Sequence, residues 1–586
     1  MLKNWIAGVF LCTCFAFPQD THEIVVLGKK IPFRFDPKRD VLVVEGEFLR
    51  QIPSFNLAQL ISLVANMHFV SRGNFQADPQ MSGFNQEQIV VMVNGTPWNN
   101  AQTGHHNLAL PFDIEQIERI EVLRGGYPSR NNLSGAGGLV NIITSSGSGF
   151  KASLSSFDTK AASLSLRAKS LNFSSGITST DGYMEGIDGE KYYAQGGIKL
   201  PYDRGLLDIW AGWLSSRFGA RNFYGPYPSF EELDRFLGSV NWQMIPSRNA
   251  LLDIQISSQY SHDIFTLDRN RPAQYANTHK TLQNSLNVSF HQYSKELSYT
   301  LGVSSDGDRI DSRGTRESQA AVALGEHRRQ MFSFFGEFHA ERGLFFLNSG
   351  LQMAFGSYNN WSGHFMAGVM AGSDLKISGS VSRNYRIPTY TELFYSDPSH
   401  QANAGLMPET SVSSSFSIES HKKRLEWGIK LFFNRSNNLI EWKSASGGNF
   451  WLSENLKKGT YYGTDVKLFF MSGNAVVRIL YTFQNASFDE HPLMKTLKYH
   501  YYFPDHSLSV LLSQSFRILS LCAALKIERE KWTGVGRVYL NLKARRKFGN
   551  AAPFIEVLNI FNSRAEKIPG LPEPPRSFTA GLAIDF

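Results

Sequence analysis

Apolar and polar residues alternate one by one through much of the last two-thirds of the chain. In residues 474–484, Ala475, Val477, Ile479, Tyr481 and Phe483 share one face, with Arg478, Thr482 and Gln484 opposite. In residues 282–291, Leu286, Val288 and Phe290 stand against Ser285, Asn287, Ser289 and His291. At the end, Phe578, Ala580, Leu582, Ile584 and Phe586 oppose Ser577, Thr579, Gly581, Ala583 and Asp585. Period two predicts strands with one face buried. A soluble sandwich would also alternate, with its apolar face inward. Here the segments run to about ten residues and several end in aromatics, which suits tilted membrane-crossing strands. The chain also ends on an aromatic, Phe586, as suits a last strand that must pair with the first. Roughly 435 residues follow position 150, enough for an antiparallel barrel of about 22 strands at about 20 residues per strand and connection. About 20 or 24 strands fit the same arithmetic.

The pattern ahead of the barrel differs. Leu57, Leu60, Ile61 and Val64 form a helical stripe, with Ser54 as the predicted N-cap. Ile89 to Val93 predicts a short buried strand ending in the turn pair Asn94-Gly95, and residues 117–125 alternate again. A small α+β unit in front of a large barrel is expected to fill its lumen as a plug. The division predicted is a signal peptide over 1–16, an N-terminal segment over 17–35, a plug over 36–147 and a transmembrane barrel over 148–586. The signal rests on Lys3, the short apolar stretch after it and small residues at Cys14 and Ala16, with cleavage expected after Ala16. Lipid attachment at Cys12 or Cys14 is the weaker reading, since the residue before Cys12 is leucine.

Composition narrows the classes. The chain has 586 residues, 42% hydrophobic and 13% aromatic, which excludes global disorder and suits a β-rich protein with many aromatic contacts. Beyond the signal no apolar run reaches the length of a transmembrane helix. The net charge of +8 comes without a basic run or a recognition motif, so nucleic acid is not an expected partner. Three cysteines, two of them in the signal, make no disulfide framework. No GxSxG, HExxH or phosphate-binding loop is present, so no catalytic residues are assigned and no enzyme is expected; no cofactor or metal site is assigned either.

Several segments together resemble the TonB-dependent outer-membrane receptor family. Ile117-Glu-Arg-Ile-Glu-Val-Leu-Arg-Gly125 and Gly137-Gly-Leu-Val-Asn-Ile-Ile-Thr144 are similar to the family's plug signature. Asn384-Tyr-Arg-Ile-Pro-Thr-Tyr-Thr-Glu-Leu-Phe394, Leu406-Met-Pro-Glu-Thr-Ser411, Gly459-Thr-Tyr-Tyr-Gly-Thr-Asp465 and Asn559-Ile-Phe-Asn562 resemble its barrel segments, in family order. The resemblance is closest to the compact cobalamin- and ferric-siderophore-receptor branch. Two departures stand out: the family's plug arginine-glycine pair is Ser82-Gly83 here, and its tyrosine-glycine pair is Asn131-Asn132.

The resemblance implies energised uptake of a scarce metal chelate across the outer membrane of a Gram-negative bacterium, by a monomer in contact with outer-membrane lipid. The ranking expected is ferric siderophore, then cobalamin, then haem. A passive or structural barrel would need neither plug nor box. Glu23, Ile24, Val25, Val26 and Leu27 resemble the TonB box, a β-prone stretch able to add as a strand to TonB, which an inner-membrane proton-motive-force complex drives. Arg124, Glu419 and Asp465 are the implied charge cluster between plug and barrel. With Ser82 in place of an arginine, the cluster lacks a cation, so a substitute partner is expected for the second carboxylate.

Ligand contacts are expected at the plug apex and in the outer loops. The candidates are Phe75, Gln76, Trp98, His105 and His106 in the plug, and Tyr385, Arg386 and His400 in an outer loop. The three histidines could clamp haem iron through two imidazoles, but ordinary solvated loop histidines are the preferred expectation. Residues 304–329 are also expected in an outer loop. Asp306, Asp308 and Asp311 there are spaced like a crude calcium site, but Arg309 and Arg313 interrupt them and a solvated loop is expected.

Overall fold

The computed structural model describes residues 41–125, 135–145, 147–294, 296–372, 374–397, 399–422, 424–444, 450–489, 497–498, 503–530 and 534–586. The signal, the TonB-box segment and Asn131-Asn132 lie outside the described residues. Twenty-two antiparallel strands close into a barrel around an N-terminal plug. The last strand, Ser577–Asp585, pairs with the first, Gly149–Ser155, so no edge is left open.

The polarity of the wall is the reverse of a soluble core. In the strand Tyr275–Gln292, Leu282 and Leu286 are each 41% exposed, while Ser289 and His291 on the other face are 1% and 0% exposed. The same holds at the closing strand, where Phe578 is 57% exposed and Ser577 2%. An apolar exterior and a polar lumen are what a barrel in lipid requires. No helix among the described residues is long and apolar enough to cross a membrane.

Connections distinguish the two ends. At one end the turns are tight, as between Tyr202 and Gly205 or Ser247 and Ala250. At the other lie long connections, residues 387–408 and 559–576 among them. The long-loop end is the outer one by the usual arrangement of such barrels. Residues 304–329 correct the expected outer loop: they belong to two long strands, Leu297–Arg316 and Gln319–Arg342, joined by a tight turn at Glu317-Ser318. Asp306, Asp308 and Asp311 are therefore strand residues. Arg329 binds Asp308 at 3.0 Å and Arg313 binds Asp311 at 3.1 Å, so two of the three carboxylates have their own cation.

The plug is built on strands β1 (Val41–Glu45), β2 (His68–Arg72), β3 (Gln76–Gln80), β4 (Ile89–Val93), β5 (Thr96–Pro97), β6 (Ile117–Arg124) and β7 (Gly138–Thr144), with helices α1 (Gly46–Leu49) and α2 (Leu57–Ala65). Its main sheet runs in the order β1-β6-β7-β4-β5, and β2 pairs with β3 apart from it. Asn94-Gly95 does make the hairpin turn between β4 and β5, with both residues at positive φ. The cap of α2 is Asn56, not Ser54: its Oδ1 accepts from the Gln59 amide at 3.0 Å. Both residue types cap well, and the helix starts two residues later than the polar cluster suggested. Leu60, Ile61 and Val64 pack into the plug core with Trp98, Phe112, Ile117, Val140 and Ile142.

Candidate functional site

The seam between plug and barrel begins at the end of α2. The last carbonyls of a helix have no partner within it, and here the wall and β6 supply donors. Lys526 Nζ reaches Ser62 O at 3.3 Å, Ser509 Oγ reaches Leu63 O at 2.7 Å, and Arg124 donates to Ala65 O. Cations at this end also suit the helix dipole. Asn66, left-handed at the C-cap, bonds Thr482 Oγ1 at 2.8 Å and accepts from Lys526 at 2.7 Å. Each contact with the wall joins residues more than 400 positions apart in sequence.

Arg124, at the end of β6, makes a 3.0 Å ion pair with Asp465 of the wall, with side chains 17% and 18% exposed. Thr482 also donates to Asp465, at 2.6 Å. Glu419 belongs to a different group: Lys467 lies at 2.6 Å and Lys376 at 3.3 Å, with His421 at 3.7 Å. The expected three-residue cluster is thus divided. Arg124 serves Asp465, and two wall lysines serve the buried Glu419 that would otherwise stand as an uncompensated charge. Ser82 sits in a two-residue hairpin turn, with φ 52° at Ser82 and 88° at Gly83. A Cβ on Gly83 would lie 2.1 Å from the Tyr461 ring, so this turn needs glycine to press against the wall. A cavity of about 60 Å³ between Ser82, Arg124, Lys430, Asn434 and Asp465 marks the space beside the short serine side chain.

At the plug apex, the tip between β2 and β3 carries a buried polar group. Arg72 Nε donates to Asp78 at 2.9 Å and His105 Nδ1 lies 3.0 Å from the same carboxylate. Burial pushes the Asp78 carboxyl up, but His105 and Arg72 outweigh it and hold it below the usual carboxylate range. Arg72 also donates to Phe223 O in the outer loop after the strand Gly205–Gly219. The neighbouring His106 points the other way, toward Glu231 at 3.9 Å and Asp263 at 3.7 Å, both on the wall near the outer ends of their strands.

The remaining candidates are more enclosed than expected. Trp98 is wholly buried; its indole donates to Ala109 O at 2.9 Å and the Arg235 guanidinium lies 4.1 Å from its ring centre. It anchors the plug core and does not stand at the apex. Tyr385 is 1% exposed and packs on Met331 and Ala354. Arg386 is held by Glu392 at 2.8 Å and Glu409 at 2.7 Å. Gln88 of the plug donates to Glu409 at 2.8 Å, so this group also bridges plug and wall. The nearby Glu87 accepts from the Gly104 amide at 2.8 Å; burial, then the Glu392 charge, push its carboxyl up to about 8. Gln76 donates to Tyr224 at 2.9 Å, and Phe75 stacks on Phe218 at 5.9 Å. Phe75, Gln76, His105 and His106 line one cavity of about 240 Å³ that runs down between plug and wall.

His105, His106 and His400 are not solvated loop histidines. All three are buried, each with a carboxylate within 3.7 Å. His400 lies 3.0 Å from Asp397 and 2.7 Å from the Lys498 amine, against the edge of Trp442. Burial, with Arg72 next, pushes the Lys498 amine down to about 8. His105 faces Asp78, His106 faces Asp263 and Glu231, and His400 faces Asp397, so the plug pair and His400 have separate carboxylate partners. The sequence places Arg72 and Asp78 within a candidate apex loop without singling them out, and it gives no place to Glu231, Asp263 and Lys498. Glu231 and Asp263 carried a faint signal as charges on the inward positions of long alternating strands.

The comparisons fit this arrangement. The TonB-dependent receptor plug-domain model matches residues 35–139, and the TonB-dependent receptor-like β-barrel model matches residues 116–570. The vitamin B12 transporter BtuB of Photobacterium profundum is 21% identical over 520 residues, 80% of each chain. The ferric enterobactin receptor PirA of Pseudomonas aeruginosa is 32% identical over 123 residues, 18% of this chain and 16% of that one. The copper transporter OprC superposes with a TM-score of 0.79 at 14% identity, covering 93% of this chain and 98% of that one. The siderophore receptor PirA of Acinetobacter baumannii gives 0.74 at 14% identity, with 93% and 98% covered. With its plug, its 22-stranded barrel and the match of both family models, this chain belongs to the TonB-dependent receptors of the Gram-negative outer membrane.

Proposed function

We propose that this receptor takes up a scarce metal chelate, captured at the plug apex and outer loops, and passes it inward when TonB pulls on Glu23–Leu27. The observation that carries the reading is the filled lumen. The plug is tied to the wall through Arg124–Asp465, through Gln88–Glu409 and through the capped end of α2. A chelate cannot pass a plug held by several charged, part-buried contacts unless work is done to move it. An external energy source is therefore part of the reading, and a passive pore is not.

The sequence ranks a ferric siderophore first as cargo. One observation favours cobalamin as the second reading: the vitamin B12 transporter relative aligns over 80% of both chains, whereas PirA of Pseudomonas aeruginosa aligns over 18% of this one. The buried cations Arg72 and Lys498 at the outer end favour an anionic or carbonyl-rich chelate over a cationic one.

Calorimetric titration of the detergent-purified protein with ferric siderophores, cobalamin and hemin tests the cargo. Nanomolar saturable binding of one class is expected, with siderophore binding supporting the first reading and cobalamin binding the second. Silence across the panel overturns both. An Ile24→Pro variant should bind like the wild type and fail to accumulate the ligand in cells, because proline removes a donor from the strand that TonB would pair with.

A further inference from the structure

Three side chains that the uptake reading does not use converge at the outer end of the lumen. His106 comes from the plug; Glu231 and Asp263 come from adjacent wall strands, Phe230–Ser247 and Ala250–Thr266. One ligand atom from each lies within 4.8 Å of the others, and all three residues are buried. Glu231 Oε2, the oxygen 3.9 Å from His106 Nε2, has no hydrogen-bond partner among the described residues, on a residue 2% exposed; Asp263, 5% exposed, turns Oδ2 toward His106 and its Oδ1 is unpartnered too. Two carboxylates left partly unpaired out of water are costly, and a cation between them removes that cost.

We propose that His106, Glu231 and Asp263 bind a divalent transition-metal ion of the zinc type, which fastens the plug to the barrel wall. The donor set is one imidazole nitrogen and two carboxylate oxygens, the mixture that suits zinc and its neighbours and not calcium or magnesium, which take oxygen alone. A tetrahedral ion with bonds of about 2.0 Å needs ligand atoms about 3.3 Å apart. His106 Nε2 stands 3.7 Å from Asp263 Oδ2 and 3.9 Å from Glu231 Oε2, and all three ligand atoms lie within 4.8 Å of one another, so the set contracts to close on an ion. A fourth position is left for water or for His279, which sits directly opposite Asp263 in the strand register.

The surroundings are those of a positioned site. Gln102 donates to Asp263 Oδ2 at 3.0 Å, the oxygen that faces His106, and so holds this carboxylate in place. Such outer partners orient metal ligands. Arg235 holds the His106 carbonyl at 2.7 Å, which fixes the backbone of the plug ligand; its charge, like that of Arg72 beside Glu231, opposes a metal here. Tyr224, His105, His279 and Arg72 are further titratable or charged groups beside the three ligands. His106 lines the cavity between plug and wall, which gives an ion a way in. One ligand rides on the plug and two on the wall, so displacement of the plug breaks the set and releases the ion.

The site depends on the folded receptor and not on the identity of the chelate, so it is tested without TonB or chelate. The full-length protein, stripped with a chelator and purified in detergent, is titrated with Co²⁺ and followed by its visible absorption. Expected are the bands of low-coordinate cobalt at one ion per chain, their displacement by Zn²⁺, and a higher melting temperature with the ion. His106→Ala and Asp263→Asn should each weaken binding by about 100-fold or more, since loss of mere outer-shell partners already costs 10- to 100-fold. Heat-modifiable gel migration checks that each variant is folded; should His106→Ala fail it, Asp263→Asn decides alone. Wild-type protein with no cobalt bands, or folded variants with bands and affinity unchanged, would overturn the proposal. Neither result bears on chelate uptake, whose own failure would show as silence in the chelate titration.

Discussion

Replacing Arg124 by alanine should loosen the plug. The substitution removes the 3.0 Å pair to Asp465 and the donor to the Ala65 carbonyl at the end of α2. A fully buried pair broken on one side costs about 3–5 kcal/mol, and an exposed one about 0–1 kcal/mol. At 17% and 18% exposure the pair lies nearer the buried case, but Thr482 still bonds Asp465 at 2.6 Å and softens the loss. An estimate of about 2 kcal/mol follows, to which the lost helix-end contact adds about 0.5 kcal/mol. At 1.36 kcal/mol per factor of ten, the loosened state gains about 30- to 70-fold in population. The assay is entry of a large antibiotic normally kept out by the outer membrane, with single-channel conductance of the purified protein in a planar bilayer as the direct readout. Asp465→Asn should match Arg124→Ala, and the double variant should add little, because both remove the same contact. Glu419→Gln should leave the leak low, since Glu419 is paired with Lys376 and Lys467. A leak in Arg124→Ala no greater than in the wild type would refute the reasoning, as would a double variant that leaks as the sum of two independent effects.

The remaining predictions concern the plug itself. The Glu87 carboxyl, raised to about 8 in the folded protein from an ordinary value near 4.5, holds its proton where the unfolded chain has lost it. Its contribution to stability is therefore full at low pH and falls as pH rises from about 4.5 to about 8, by up to about 1.4 kcal/mol per pH unit. Glu87→Gln keeps the acceptor for Gly104 and should flatten the melting temperature across that range; an unchanged slope would contradict the assignment. Gly83→Ala should destabilise the plug by about 2 kcal/mol, because a Cβ at φ 88° meets the Tyr461 ring at 2.1 Å; a melting temperature at or above that of the wild type would count against it. Trp98, buried in the plug core, should keep its emission when ligand binds, so a Trp98→Phe variant should retain any ligand-induced quenching seen in the wild type; quenching lost with Trp98 would return it to the apex.

Much of the architecture was legible because barrel and plug obey different periodicities. The alternation at residues 282–291 and 577–586 marked strands, and the wall shows which face meets lipid, as with Leu286 outward and Ser289 inward. The plug signature over residues 117–144 marked the unit in front. What remained illegible depends on which strands lie side by side. Lys376 reaches Glu419 from the neighbouring strand and Lys467 from the next strand but one, past Gly428, a relation set by register and not by spacing along one chain. His106, Glu231 and Asp263 meet across 157 residues of sequence for the same reason. Trp98 was misplaced because a large aromatic beside a turn serves equally as an apex contact or a core anchor; its indole N–H found Ala109 O and settled inward. Asp306 to Asp311 illustrate the opposite error. Closely spaced acids read as a loop, yet at the outer end of a long strand they pair with arginines such as Arg329.

The central claim is that cargo crosses this barrel only when energy moves the plug. Its most direct test is the initial rate of uptake of the bound chelate into cells carrying this receptor, measured with TonB present, with TonB deleted and with the proton gradient collapsed by an uncoupler. The account predicts that surface binding persists in all three while accumulation stops in the last two. Accumulation that continues at the same rate without TonB would contradict it and make the molecule a passive pore.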